Sequence, residues 1–249
     1  MQEKNERQVA VVTGAARGIG LATARRLASD GFEVLMLDRS RDTLDQAVQD
    51  AQRDELHVSG VALDVTKRAE VADALASLAR IDVVAAVHGV ILVKPFLETT
   101  EEEFEQIMRV NVTGTFIIFQ ESLKKMKEGG KLIGFASRGV LGDTNTTAYI
   151  SSKAAIVGMV RAMAFEYRSR NIAVNAIAPG FTNTAMVRDH LGAERLEAAA
   201  KLEPRGHAAH PDEIANVVGF LADPRTSFIT GQTIFVDGGK SLGGLASPL

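Results

Sequence analysis

Residues 13–20 of this chain read Thr-Gly-Ala-Ala-Arg-Gly-Ile-Gly, directly after the apolar run Val9–Val12 and directly before a segment rich in alanine and leucine. A strand that turns through glycine into a helix is the setting a nucleotide pyrophosphate requires, because the free N–H groups of the first helical turn point at anionic oxygen. Gly14 allows a sharp exit from the strand, Gly18 lets backbone approach the phosphates, and Gly20 lets the helix pack closely on the sheet, with Arg17 and Ile19 between them. The spacing is Gly-x-x-x-Gly-x-Gly, not the Gly-x-Gly-x-x-Gly of most dinucleotide folds. Stripped of its flanks, the pattern would mean only three glycines in a surface turn; the strand before and helix after it point to dinucleotide binding.

Short β-branched runs alternate with longer helical patterns almost to the end of the chain. Strands are expected near 9–13, 33–38, 57–63, 82–88, 131–136, 173–178 and 233–236, and helices near 18–30, 40–53, 67–79, 101–128, 148–170 and 211–222. Seven strands with intervening helices predict an α/β, doubly wound, Rossmann-type three-layer fold whose seven-stranded parallel sheet is covered on both faces. The 249 residues fit one large domain with a substantial core, and no linker interrupts them, so residues 1–249 read as a single domain. The stretch 181–210 lacks a strand, follows the sixth strand, and is the candidate substrate lid. The tail from Gly238 onward reads as a flexible end.

Composition narrows the partners. A formal net charge of -3 gives no reason to expect nucleic acid, which leaves a small molecule as the expected partner. With no cysteine, the chain has no disulfide framework, thiolate nucleophile or thiolate metal site. The first seven residues, Met-Gln-Glu-Lys-Asn-Glu-Arg, lack the apolar stretch of a signal peptide, and the longest apolar run, Val83 to Val93, is broken by His88 and too short to span a bilayer. A cytoplasmic protein with no membrane association is expected.

The second expected strand ends in Asp38, eighteen residues after Gly20, where a carboxylate would accept hydrogen bonds from an adenosine ribose and repel a 2′-phosphate. Arg17 and Arg39 flank that position and would favour such a phosphate, unless Arg39 answers Asp38 itself. The balance predicts NAD, with NADP as the lesser alternative. Asp64, after the third strand, suits either the adenine amino group or the N-cap of the following helix.

Tyr149 and Lys153 stand four residues apart at the start of an expected helix, so both project from one face. A fixed ammonium beside a phenol favours the phenolate, which would let a group of ordinary pKa near 10 serve as a base. Ser137 ends the fifth strand at the carboxyl edge of the sheet, where doubly wound folds bind their ligands and where its hydroxyl would hold a substrate oxygen. Asn111 falls inside the expected helix 101–128, with an amide able to distort the turn, hold a water in a proton path toward Lys153, or satisfy buried backbone.

Together, Thr13–Gly20, Asn111, Ser137, Tyr149, Lys153, Asn175-Ala-Ile-Ala-Pro179-Gly180 and Val236-Asp-Gly-Gly239 resemble the short-chain dehydrogenase/reductase family over essentially the whole chain. The resemblance implies a Ser137-Tyr149-Lys153-Asn111 tetrad, a Pro179-Gly180 turn beside the nicotinamide, and Thr182 and Thr184 contacting its carboxamide or phosphates; Val65 and Gly89 join the expected cofactor-binding set. It also implies a homotetramer built through the two long helices and the last strand. Three departures stand out. Ala86-Val87-His88-Gly89 replaces the family's usual Asn-Asn-Ala-Gly, so amides that brace the central strands are missing, and His88 either touches a ligand or is hydrogen-bonded internally. Ser137 and Tyr149 are twelve residues apart, one fewer than is common in the family. His207 stands where many relatives carry arginine and forms His-x-x-His with His210, but no carboxylate arrangement completes a metal site, so none is expected.

The expected function is NAD-dependent interconversion of a secondary alcohol and a ketone by hydride transfer, with Tyr149 as acid/base. Two rivals are an NADPH-dependent 3-oxoacyl-type ketoreductase, against which Asp38 argues, and a non-catalytic nucleotide-sensing protein, against which the intact Tyr149/Lys153 pair argues. The substrate pocket is expected from 90–96, 138–145 and 184–210, whose mixture of Ile91, Leu92, Val93, Phe96, Val140, Leu141 and Met186 with Lys94, Arg138, Asp143, Asn145, Arg188 and His190 suits an apolar body with an anionic or hydroxylated end. Arg138, beside Ser137, is the candidate carboxylate or sulfonate partner.

Overall fold

Val9–Thr13 is buried at every position, which a strand achieves only when helices cover both faces of its sheet. The computed structural model describes residues 7–243, with residues 186 and 189–193 described by backbone alone. Its strands are β1 (Val9–Thr13), β2 (Glu33–Asp38), β3 (Val58–Ala62), β4 (Ile81–Ala86), β5 (Met126–Phe135), β6 (Ala173–Pro179) and β7 (Thr233–Val236). The helices are α1 (Gly18–Ser29), α2 (Arg41–Arg53), α3 (Arg68–Ala76), α4 (Glu101–Met108), α5 (Gly114–Leu123), α6 (Thr147–Glu166), α7 (Ala185–Lys201) and α8 (Pro211–Ala222).

The seven strands form one parallel sheet in the order β3-β2-β1-β4-β5-β6-β7. Alternation along the strands sends side chains to two cores. On one face Leu35, Leu37 and Leu132 meet Leu75 of α3, Phe119 of α5 and Ile156 of α6. On the other, Val34, Met36 and Ile133 meet Leu27 of α1, Leu44 of α2 and Val218 of α8. The strand order reverses between β1 and β4, so their connections leave in opposite directions and open a crevice at the carboxyl ends of the sheet.

Several expected boundaries are corrected. The helix expected over 101–128 is divided: α4 passes into a π-helical turn at Arg109–Thr113, then into α5, which stops at Leu123. Residues 126–128 already belong to β5, where Met126 pairs with Ile81 before the register shifts and Lys131 pairs with Val83. The helix expected over 148–170 ends at Glu166, followed by a short 3-10 turn, Arg168–Arg170, which Asn171 closes at φ +52°. Within 181–210 the chain forms α7, and Thr182 bridges to Ala209, closing the excursion at its base. Of the expected flexible tail, Lys240–Leu242 forms a 3-10 turn, and residues 244–249 lie outside the described residues.

Candidate active site

The turn after β1 needs glycine for three separate reasons. Gly14 and Gly18 adopt left-handed φ values of +65° and +58°, where a side chain is strained. A Cβ on Gly20 would lie 1.9 Å from the Gly14 carbonyl oxygen, so α1 can approach the turn only without one. A Cβ on Gly14 would lie 2.9 Å from His88 Cα. The outcome is bare backbone at the N-terminus of a helix, a surface that fits a pyrophosphate.

The end of β2 is tied to this turn. The Ala15 N–H donates to the Leu37 carbonyl at 3.1 Å, and the Asp38 carboxylate accepts the Ala16 N–H at 3.1 Å on one oxygen and the Ser40 N–H at 3.0 Å on the other. Asp64 Oδ1 accepts both the N–H and the hydroxyl of Thr66, at 2.9 and 2.8 Å, ahead of α3. Burial raises its pKa, but these hydrogen bonds together with the charges of Lys67 and Arg39 outweigh that effect and hold it below the usual value. Asp64 thus organises the turn before α3 while also facing the crevice. At the far end, a Cβ on Gly180 would come within 2.7 Å of Asp237, Thr182 Oγ1 donates to the Gly180 carbonyl at 3.1 Å, and Thr184 caps α7 by accepting the Val187 N–H at 3.3 Å.

All of these borders belong to one cleft of about 850 Å³. Gly14, Arg17, Gly18, Ile19, Gly20, Asp38, Asp64 and Val65 line it on one side of the sheet reversal, and Gly89, Ser137, Tyr149, Lys153, Pro179, Gly180, Thr182 and Thr184 on the other. The glycine cradle and an elongated cleft of this size fit a dinucleotide with room for a small substrate.

The Ser137 hydroxyl accepts the Gly139 N–H at 3.1 Å and faces the same cleft as the Tyr149 phenol, on which it acts to favour the phenolate. The short Ser137–Tyr149 interval therefore still brings the two side chains to one cleft. Lys153 is buried; its Nζ donates to the Phe135 carbonyl at 2.9 Å and lies 5.7 Å from the centre of the Tyr149 ring. Burial brings the Lys153 pKa down to about 8. The expectation that the ammonium depresses the phenol is corrected for the protein alone: burial raises the Tyr149 pKa, and only the Ser137 hydroxyl opposes it.

Asn111 does not line the cleft but braces its wall. It sits in the π-helical turn, where its Oδ1 accepts the Val90 N–H at 2.8 Å and its Nδ2 donates to the Val90 carbonyl at 3.0 Å and to Ser152 Oγ at 2.9 Å. Ser152 Oγ in turn donates to the Tyr149 carbonyl at 2.6 Å, so Asn111 reaches the reacting helix through a hydroxyl. Sequence reasoning missed Ser152, although its polar side chain inside Tyr149-Ile-Ser-Ser-Lys153 was a usable signal. It also missed Gln106, Arg109 and Ile150 in the lining, none of which carries a motif, whereas Glu203 lies within the expected 184–210.

His88 is an internal histidine. Its Nδ1 is 2.6 Å from Thr13 Oγ1, and burial drives its pKa down to about 3, so the ring is neutral. His207 is exposed, with Nδ1 3.1 Å from the Ala208 carbonyl, whereas His210 caps α8 in a reciprocal arrangement with Glu213. Among the described residues, no group of three or more His, Asp or Glu side chains is placed to hold a metal. Of the expected substrate residues, Val90, Ile91, Arg138 and Asp143 line the cleft. Arg138 faces Asp143 at 3.8 Å, while Lys94 is spent on an ion pair with Glu103 at 2.9 Å and Leu141 is exposed. The side chains of Met186 and His190 lie outside the described residues.

A family model described as enoyl-(acyl carrier protein) reductase matches residues 14–241. The chain is 34% identical over 241 residues to the 3-oxoacyl-[acyl-carrier-protein] reductase FabG of Thermotoga maritima, covering 94% of this chain and 98% of the relative. It is 36% identical over 248 residues to the short-chain reductase protein NovJ of Streptomyces niveus, covering 95% of each. Among solved structures, levodione reductase is similar with a TM-score of 0.90 at 29% identity, covering 95% of this chain and 98% of that one. An actinorhodin polyketide ketoreductase solved with NADPH is similar with a TM-score of 0.89 at 28% identity, with the same coverage. Among the described residues, no helix is long and apolar enough to cross a membrane. Similarity that runs the length of both chains, in sequence and in structure, places this protein in the short-chain dehydrogenase/reductase family as an NAD(P)-dependent oxidoreductase acting on a CH–OH group.

Proposed function

We propose that this protein interconverts a secondary alcohol and a ketone with NAD, using Tyr149 as the acid/base. The observation that carries this reading is the buried Lys153 ammonium, 5.7 Å from the centre of the Tyr149 ring and bonded to the Phe135 carbonyl at 2.9 Å, with Ser137 and Tyr149 lining the same cleft at the carboxyl edge of the sheet beside the glycine cradle. A nicotinamide held in this cleft would supply the hydride acceptor or donor and, in its oxidised form, a positive charge. Ser137 steadies the substrate oxygen, Tyr149 takes or returns its proton, Lys153 supplies the charge that a buried phenolate needs, and Asn111 with Ser152 holds the reacting helix against the π-helical turn. Gly14, Arg17, Gly18, Ile19 and Gly20 would hold the pyrophosphate, Asp38 the ribose, and Asp64 with Val65 the adenine end. Gly89, Pro179, Gly180, Thr182 and Thr184 border the nicotinamide end, and 181–210 acts as the lid.

Asp38 favours NAD, because a carboxylate at the end of β2 repels a 2′-phosphate. A second reading, NADPH-dependent reduction of a 3-oxoacyl group, is favoured by Arg17 and Arg39 in the same cleft and by NADPH in two similar structures, the polyketide ketoreductase and a metagenomic blue fluorescent protein. The protein is proposed to work in the cytoplasm as a homotetramer on a small-molecule substrate, without nucleic acid or membrane partners.

The test is the rate of NAD and NADP reduction with secondary alcohols, diols, hydroxy acids and sugars, and of NADPH oxidation with a 3-oxoacyl thioester. Each is run beside Tyr149→Phe. Turnover with NAD that this change abolishes supports the first reading, and thioester reduction preferring NADPH supports the second. Turnover that survives Tyr149→Phe sinks both.

A further inference from the structure

His88 stands where the family pattern has no histidine, and its ring is wedged between three elements. Its main-chain N–H donates to Thr13 Oγ1 at 3.3 Å, and Nδ1 lies 2.6 Å from the same oxygen, at the end of β1. The far end of the ring abuts the start of α5, where a Cβ on Gly114 would fall 2.9 Å from Nε2 and 2.9 Å from Val65 Cγ2. The next residue, Gly89, touches the proton-handling groups: a Cβ there would lie 3.3 Å from both Asn111 Oδ1 and Lys153 Nζ. Nε2 itself is fully buried and has no partner at full hydrogen-bonding geometry, although the Val110 carbonyl acts on the ring. A ring only 9% exposed, bonded at one end and wedged at the other, fixes how far the glycine turn stands from the π-helical turn.

We infer that His88, as a neutral imidazole protonated at Nε2, is a positioning residue that sets the seat of Lys153 by bracing the loop 88–90 between Thr13 and the start of α5. The tautomer follows from counting protons. Among the described residues Thr13 Oγ1 has no acceptor other than Nδ1 for its one proton, so that proton goes to Nδ1, and the ring proton is left on Nε2. The groups that act on the ring electrostatically are Lys153 of α6, which disfavours its protonation, and Asp64 together with the Val110 carbonyl, which favour it; burial outweighs them all. The role rests on the reading of Lys153 given above, but its test does not need turnover.

The test uses full-length His88→Ala and His88→Asn beside the unaltered protein. NADH affinity is followed by NADH fluorescence from pH 6.5 to 10, kcat and KM with an alcohol active in the panel above, and thermal melting as a folding control. The expected result for His88→Ala is a folded protein whose alkaline limb in NADH binding moves by at least about half a pH unit and whose kcat falls about tenfold with KM little changed. His88→Asn, whose amide oxygen accepts the Thr13 hydroxyl, should recover part of both. Lower melting with kcat and limb unchanged would overturn the inference, as would an asparagine variant no better than alanine. If His88→Ala fails to fold, Thr13→Val takes its place: a displaced limb supports the role and an unmoved one overturns it. Turnover that survives Tyr149→Phe would strike the proposed function alone, because the NADH limb reports the seat of Lys153 without chemistry.

Discussion

Lys153 holds its proton less firmly in the fold than in water. Its pKa of about 8 against an ordinary 10.5 means that, between those values, the unfolded chain binds a proton the folded one has released. Stability therefore rises with pH across that window, and below pH 8 the fold bears the full cost of a buried ammonium. Lys153→Met should remove this dependence: the difference in unfolding free energy between variant and parent should change by about 3 kcal/mol from pH 8 to 10.5, read from urea midpoints. The same substitution should lower kcat by a factor of about 100 or more, since the phenol, raised by burial, loses the cation that makes its phenolate accessible. Asp38 carries the other test. Its two oxygens anchor the Ala16 and Ser40 N–H groups, so Asp38→Asn preserves one acceptor while deleting the charge. The ratio of kcat/KM for NADP to that for NAD should rise about tenfold or more; an unchanged ratio would mean that Arg17 and Arg39 decide the preference.

Gly114 opens α5 at the exit of the π-helical turn, and here a general rule should reverse. Gly→Ala inside a helix ordinarily stabilises by about 1 kcal/mol. At Gly114 the new methyl would meet His88 Nε2 and Val65 Cγ2, both at 2.9 Å and both buried, so Gly114→Ala should lower the melting temperature instead. In a His88→Ala background the penalty should shrink, a coupling that a double-mutant cycle measures directly. A stabilised Gly114→Ala protein would show that this junction yields easily. The same region marks where sequence reasoning ran out. β-Branched runs and the glycine turn made all seven strands and the β1–α1 cradle legible, because period and chain reversal are local properties. The division of 101–128 was not legible, because it depends on Asn111 finding Val90 and Ser152, partners 21 and 41 residues away. Helix α7 was passed over because 185–201 has few strongly apolar positions to mark a period, and among its residues with described side chains none is fully buried. Ser137, Tyr149 and Lys153 were legible as a set, since each lies at a predicted strand end or helix start. The sign of the Tyr149 shift was not, because it is set by burial that only the assembled cleft creates.

The two-sided sheet leaves its outer helices to meet solvent, and they do so with aromatic rings. Phe104 of α4, Phe116 of α5 and Phe165 of α6 are 39%, 45% and 69% exposed, on helices that cover one side of the sheet. Near β7, Phe228 and Leu242 are almost completely exposed. Exposed apolar groups on these helices and beside β7 suit two isologous contacts, and two such contacts with perpendicular axes close a tetramer. If the proposed tetramer uses both, each can be removed by itself. Phe116→Glu with Phe165→Glu should leave dimers joined near β7, Phe228→Glu with Leu242→Glu should leave dimers joined through the helices, and the fourfold variant should be monomeric, as read by light scattering across a dilution series. Asn111, Ser137, Tyr149 and Lys153 all come from one chain, so the dimers should keep most of their turnover, and any loss should appear first as a lower melting temperature. An unaltered protein that scatters as a monomer at every concentration would defeat the tetramer and require another account of the exposed rings, whereas one type of dimer appearing from both pairs of substitutions would mean that only one of the two surfaces is used.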